Sequence, residues 1–179
     1  MQADDILHYW FDELQPRDWW RKDEDIDRSI TRRFGATLQA AAAGELFAWR
    51  DCPRGRLAEI IVLDQFPRHI HRDTPQAFAT DAMALVLAQE ALRAGADLTL
   101  QGAERAFLYM PYMHSESMTM QDLSVQLFDQ AGLEDNLRFA LAHRDIIARF
   151  GRYPHRNAVL GHESSAAELA FLEQPGSSF

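Results

Sequence analysis

The chain has 179 residues and a formal net charge of −9, with 47% hydrophobic and 25% charged residues. Those proportions describe an ordinary soluble chain long enough for one substantial core, and the acidic balance argues against broad nucleic-acid or anionic-membrane binding, which needs a clustered basic surface. Cys52 is the single cysteine, the acidic N-terminus carries no cationic-then-apolar leader, and no apolar run is long enough to span a bilayer, so a cytoplasmic protein is expected.

Helical periodicity runs almost the whole length, and no two-residue alternation persists, which predicts an all-α fold without a sheet. Ile6, Leu7, Trp10 and Leu14 share one face of a helix over residues 4–14, ended by Pro16. Residues 17–22 form a linker carrying Trp19 and Trp20. A long helix over 23–43 follows; acids in its first turn suit the positive end of the helix dipole, Ile26, Ile30, Phe34 and Leu38 form its stripe, and Gly44 is a stop. Residues 45–50 add a short turn before the breakers Pro53 and Gly55. A strongly apolar helix spans 56–66 and is interrupted by Pro67. Thr74 and Pro75 read as the N-cap and first position of a helix reaching Ala94, with Gly95 behind it. The next helix covers 101–110 and ends at Pro111; another runs from Thr119 to Gly132, and a third spans 133–150 and ends at Gly151. Ser165 and Glu168 form a capping box that starts the last helix. The sum is an array of about eight antiparallel helices in one domain over residues 1–179, with 174–179 as a loose tail.

Three stretches hold most of the chemically versatile side chains: 64–72 (DQFPRHIHR), 110–121 (MPYMHSESMTMQ) and 143–163 (HRDIIARFGRYPHRNAVLGHE). Six of the seven histidines lie there, with six arginines against four acids, a local cationic excess in an acidic chain. Asp64 extends the stripe of Leu57, Ile60 and Ile61, so its carboxylate faces the interior, where an unpaired charge is too costly. It is either half of a structural ion pair, with Arg68 or an arginine from another segment, or a general base, a metal ligand or an orienter for a histidine or arginine. His143 shares a stripe with Phe139, Ile146 and Phe150 and faces inward, while Leu137, Ala140 and Leu141 bring Arg144 partly inward on the neighbouring face. His114, Ser115 and Glu116 follow the Pro111 break and sit on a loop or helix entry, a place suited to chemistry.

Ser115 lacks a nucleophile elbow, and no H-E-x-x-H or Cys/His set appears, so no metal site is expected. No glycine loop or dinucleotide fingerprint names a cofactor. Gly151, Pro154, Asn157 and Gly161 break up the third stretch, so a loop carrying Arg152, Tyr153, His155 and Arg156 can fold back against the Asp64 helix. Guanidinium forks match carboxylates and phosphates; the alternative for Arg149, Arg152 and Arg156 is a solvated helix end. Trp10, Trp19, Trp20, Trp49 and Phe66 read as core more than as a ligand pocket.

The segments I-L-H-Y-W-F (6–11), L-D-Q-F-P-R (63–68), M-P-Y-M-H-S-E (110–116), R-F-G-R-Y-P-H-R-N (149–157) and L-G-H-E-S (160–164) occur in that order. Together they resemble the bacterial family called domain of unknown function 924, from Ile6 to near Leu172. The resemblance implies an all-α, tetratricopeptide-repeat-like array and brings no established activity, substrate or cofactor. One departure is His162, where related sequences are expected to carry arginine.

The functional expectation is a site between helices for a small anionic molecule, for binding or catalysis. Asp64, His114, Glu116 and His143 are its candidate catalytic groups, and Arg68, Arg144, Arg152 and Arg156 its candidate ligand-binding groups. The alternative is a helical-repeat-like module gripping a peptide or protein, with the polar motifs as a structural hydrogen-bond network. Nothing in the sequence sets the oligomeric state.

Overall fold

A computed structural model describes residues 1–177; Ser178 and Phe179, part of the expected loose tail, lie outside the described residues. Among the described residues every regular element is helical and no strand occurs. Helix α1 (Ala3–His8) passes into a π-helical turn (Tyr9–Glu13), and Ile6, Leu7, Trp10 and Leu14 are all buried, as their spacing predicts. A 3-10 turn (Pro16–Trp19) follows. Helix α2 (Glu24–Ala42) is capped by Asp23, whose carboxylate accepts the N–H groups of Asp25 at 2.9 Å and Ile26 at 3.2 Å. Gly44, at φ 74°, takes the left-handed turn that ends it.

Helix α3 (Pro53–Asp64) is the centre of the molecule. From Leu57 to Asp64 every residue is fully buried, because α1, α2, α5 and α6 surround the helix. A helix buried on all sides has no polar face, so its charged residues must find partners inside. Glu59 does so through Arg50, whose guanidinium donates two hydrogen bonds at 2.7 and 2.6 Å. Near its start, a Cβ on Gly55 would stand 1.9 Å from the Trp49 carbonyl oxygen. Only glycine lets the 3-10 turn Phe47–Asp51 lie directly on α3.

Two prolines behave differently from the sequence expectation. Pro67 stands in the first turn of a new short helix, α4 (Phe66–Ile70), where a missing N–H costs nothing. Pro111 lies inside α6 (Ala103–His114), and the helix continues past it to His114. Residues 106–113 are buried throughout, and packing against α3, α5 and α7 holds the helix where proline removes one backbone hydrogen bond. His114 is therefore the last helical residue rather than part of a loop.

The helix expected from Thr74 to Ala94 is broken. Thr74 Oγ1 donates to the His71 carbonyl at 2.7 Å instead of capping, a 3-10 turn covers Pro75–Phe78, and α5 runs over Asp81–Arg93. Helix α7 (Met118–Phe128) stops short of Gly132, and α8 (Glu134–Phe150) ends at Gly151, at φ 70°. On α8, Ala140, His143, Ile146 and Ile147 are buried, whereas Phe139 and Leu141 are exposed, so the inward stripe is narrower than the periodicity implies. The expected loop beyond Gly151 contains a 3-10 turn (Pro154–Arg156) and the short helix α9 (Asn157–Leu160). Helix α10 (Ala166–Leu172) opens with the predicted Ser165–Glu168 capping box. The described end of the tail is tied back, with Ser177 Oγ donating to the Leu172 carbonyl at 3.0 Å.

The main core spans α1 to α8 and contains Trp10, Phe34, Phe66 and Phe107. Trp10 is fully buried, while Trp20 remains 60% exposed although it stacks on Phe107. A satellite cluster of Ile146, Ile147 and Tyr153 packs with Met118, Phe150 and Phe171 and binds the 152–157 segment to α8. No described helix is long and apolar enough to cross a membrane.

Candidate functional site

The site is built where four chain breaks converge: the end of α3, the end of α6, the start of α5 and the turn after α8. Asp64 is the last residue of α3 and is completely buried. Its Oδ1 accepts from His114 Nδ1 at 2.8 Å, and its Oδ2 accepts from Gln65 Nε2 at 2.5 Å. Arg68 stands 3.7 Å from the same carboxylate and also donates to the Asp64 backbone carbonyl. Burial would push the carboxyl group up, but His114, Arg68 and Gln65 outweigh it and hold Asp64 below the usual carboxylate range. An ionised carboxylate only accepts, so His114 Nδ1 must carry a proton, and in the neutral ring Nε2 carries the lone pair.

Asp81, in the first turn of α5, receives both Arg68 Nη atoms at 2.9 and 3.0 Å. Arg156 reaches Asp81 at 3.5 Å and donates to the His114 carbonyl at 3.2 Å. Asp64, Arg68, Asp81, Arg156 and His114 thus form a closed ring of polar contacts. Arg156 also lies against two aromatic rings, Phe78 at 4.5 Å and Tyr153 at 4.6 Å from their centroids.

Tyr153 joins this ring to the rest of the third stretch. Its hydroxyl donates to the Met113 carbonyl at 2.6 Å and accepts from Gln121 Nε2 at 2.8 Å. Gln121 also donates to the Ser115 carbonyl at 2.6 Å, so Tyr153 and Gln121 together clamp the residues on either side of His114. Glu116 lies on the exposed side and accepts the Tyr153 N–H at 2.9 Å. His143 is buried with its ring 5.5 Å from Tyr153, and its Nδ1 is 2.8 Å from the Phe139 carbonyl. Burial is the main cause that pushes His143 down to about 3, with His114, His155 and Arg156 adding repulsion. His155 falls to about 4 through burial and the charges of Arg156 and Arg68. Both imidazoles are neutral near pH 7.

Of the sequence-predicted residues, Asp64, Arg68, His114 and Arg156 meet directly, and Glu116 and His143 border them through Tyr153. Two do not meet them. Arg144 is partly buried, as its phase suggests, but pairs with Asp122 at 2.7 Å on α7. Arg152 turns toward α10, where it donates to Glu168 at 2.7 and 2.9 Å and to the Glu163 carbonyl at 3.0 Å. An open groove between α8 and α10, lined by Arg149, Phe150, Arg152, Ser165, Ala167 and Glu168, lies on that side and does not include the ring.

Sequence reasoning missed Asp81, Phe78 and Gln121, and it placed Tyr153 on the loop that folds back against α3 without giving it a role. Asp81 carries one local signal, an acid at a helix start; the others are unremarkable until the chain folds. The first stretch also divides. His69 and Arg72 leave the ring and meet Asp27 of α2, with His69 Nδ1 at 2.8 Å and Arg72 at 2.6 and 2.7 Å. Among the described residues, no three His, Cys, Asp or Glu side chains are grouped to hold a metal ion.

The chain is similar to a solved structure of a protein of unknown function, ATU0120, from Agrobacterium tumefaciens. The two share 37% identity over 96% of each chain, with a TM-score of 0.89. No curated protein matches. The model of a family described as bacterial protein of unknown function, DUF924, matches residues 6–176, nearly the whole length including every residue of the ring, and the chain belongs to that family.

Proposed function

We propose that the protein binds a small anionic molecule beside the Asp64–His114 pair, with His114 Nε2 as the atom that accepts or donates a proton. The observation that carries this reading is the geometry of His114 itself. Its Nδ1 is held at 2.8 Å by a fully buried carboxylate, while the side chain keeps 14% of its surface exposed. Its Nε2 makes no hydrogen bond among the described residues. A carboxylate behind an imidazole fixes its tautomer and orientation and stabilises the imidazolium that forms when the far nitrogen takes a proton, which is how a positioned general base works. Arg68 and Arg156, although each is paired with an aspartate, bring guanidinium N–H groups close to His114, and such groups orient an anionic oxygen.

A thermal-shift screen of small carboxylates, phosphates and neutral polar compounds against wild type and His114→Asn tests the proposal. A compound that raises the melting temperature of wild type and leaves the variant unchanged supports it. If every stabilising compound acts equally on both proteins, or if none stabilises wild type, the site reading is wrong. The polar ring then serves as an internal brace, a role favoured by its closure on itself.

A further inference from the structure

The charges of the ring are already matched. Asp64 and Asp81 stand against Arg68 and Arg156, and each arginine contacts an aspartate. An incoming anion therefore meets no uncommitted positive charge, and adding it alone would leave a net negative charge in a largely buried place, at high cost. Within the ring, two hydrogen-bonding atoms remain over among the described residues. One is Arg156 Nε, a buried donor with no hydrogen-bond partner there, on a side chain that is 9% exposed. The other is His114 Nε2.

We infer that the site takes a small monoanionic carboxylate together with a proton, the carboxylate accepting from Arg156 Nε and from the Nε2–H of a doubly protonated His114. This rests on the reading of His114 as the proton-transfer group and names the ligand class for it. The one bond formed is Nε2–H, as the ring nitrogen takes a proton from solvent and leaves water or buffer base behind, and the positive charge it adds offsets the negative charge of the carboxylate. Asp64, 2.8 Å from Nδ1, stabilises the imidazolium from behind. A dianion would still leave one negative charge unmatched.

The neighbouring groups leave this role to His114. From α8, His143 is held neutral by burial, as is His155 from the turn after α8. The Tyr153 hydroxyl is committed to the Met113 carbonyl, and burial pushes its ionisation far above neutrality. Glu116 is exposed, with one oxygen taken by the Tyr153 N–H, and Arg152 is neutralised by Glu168. From the α3 and α5 ends, Asp64, Arg68 and Asp81 keep their charges paired with one another.

Acetate is the probe, because it stays a monoanion between about pH 6 and about pH 8, and sulfate is the dianionic control. Affinity is read by titrating each salt while following the His114 ring signals by NMR, at constant ionic strength. Acetate affinity is expected to weaken by up to roughly tenfold per pH unit over that range, as required when binding takes up a proton. It should exceed sulfate affinity at the acidic end. In His114→Asn, followed through backbone amide signals next to position 114, the pH dependence should vanish; the wild-type profile decides the matter even if the variant folds poorly. Acetate binding that does not vary with pH, sulfate binding tighter than acetate, or no response to acetate overturns the inference. A neutral compound that stabilises wild type through His114 in the thermal screen would still uphold the site itself.

Discussion

Replacing Asp64 with asparagine separates a charge effect from a packing effect, because asparagine keeps the shape. The wild-type carboxylate accepts from His114 and Gln65 and faces Arg68 at 3.7 Å. Asparagine can still accept from His114, but its amide nitrogen then confronts the Gln65 amide nitrogen, and the attraction to Arg68 is lost. Deleting one partner of a buried ion pair commonly costs about 3–5 kcal/mol because the other charge is stranded. Here Arg68 keeps both bonds to Asp81, so the expected loss is that of a charge-assisted hydrogen bond, about 1.5–3 kcal/mol. For a chain of this size that lowers the melting temperature by roughly 3–12 °C.

The acid limb gives a second readout of the same substitution. Asp64 is held below its ordinary value in the fold, so its contribution is complete above about pH 4 and is lost as the pH falls through the folded value. Urea denaturation of wild type and Asp64→Asn at neutral pH and at about pH 3 should show the difference in stability narrowing with acid. A loss below about 0.5 kcal/mol at neutral pH would mean that the carboxylate is not paired as described. A gap that widens toward acid would refute the depressed ionisation.

Arg50→Ala strands the fully buried Glu59 and should cost about 3–5 kcal/mol, with Glu59→Gln restoring part of it in the Arg50→Ala background; denaturant titrations of the single and double variants check this. Gly55→Ala forces a methyl group to within 1.9 Å of the Trp49 carbonyl. It should destabilise by at least about 1–3 kcal/mol, and unchanged stability would mean that the turn before α3 moves freely. His143 titrates at about 3 in the fold against about 6.5 when unfolded. The unfolded chain therefore binds the proton first, and stability declines as the pH falls below about 6.5. His143→Gln should flatten that part of the stability–pH curve, and an unaltered curve would place the acid sensitivity elsewhere.

The all-helical fold was legible because a 3.6-residue repeat of apolar residues, with caps and stops, is a local property of the chain. Asp23, Gly44, Gly95, Gly151 and the Ser165–Glu168 box all act where local rules place them. Where the rules erred, burial overrode them. Pro111 sits inside a helix because neighbouring helices surround it, whereas Phe139, on the same α8 stripe as His143, is 45% exposed.

The site divides along the same line. Asp64 was correctly placed indoors from its stripe, although the reason proved broader: from Leu57 onward α3 has no solvent face, which also buries Glu59. Helical phase set His143 inward, and composition singled out Arg68, His114 and Arg156 as a set. The i,i+4 approach of Arg68 to Asp64 was among the sequence readings, but pairing between segments was beyond the sequence, because it depends on which ends converge. Arg144 and Arg152 resemble Arg68 and Arg156 in type and setting, yet Asp122 and Glu168 take them elsewhere. Asp81 enters the ring only because the chain breaks after Phe78 and restarts α5 beside Arg68. The sequence by itself determined the helices, the inward carboxylate and the family pattern, since each is encoded over a few turns of chain. The tertiary structure alone decided which charges meet, since a salt bridge depends on ångström-scale distances between segments up to 75 positions apart.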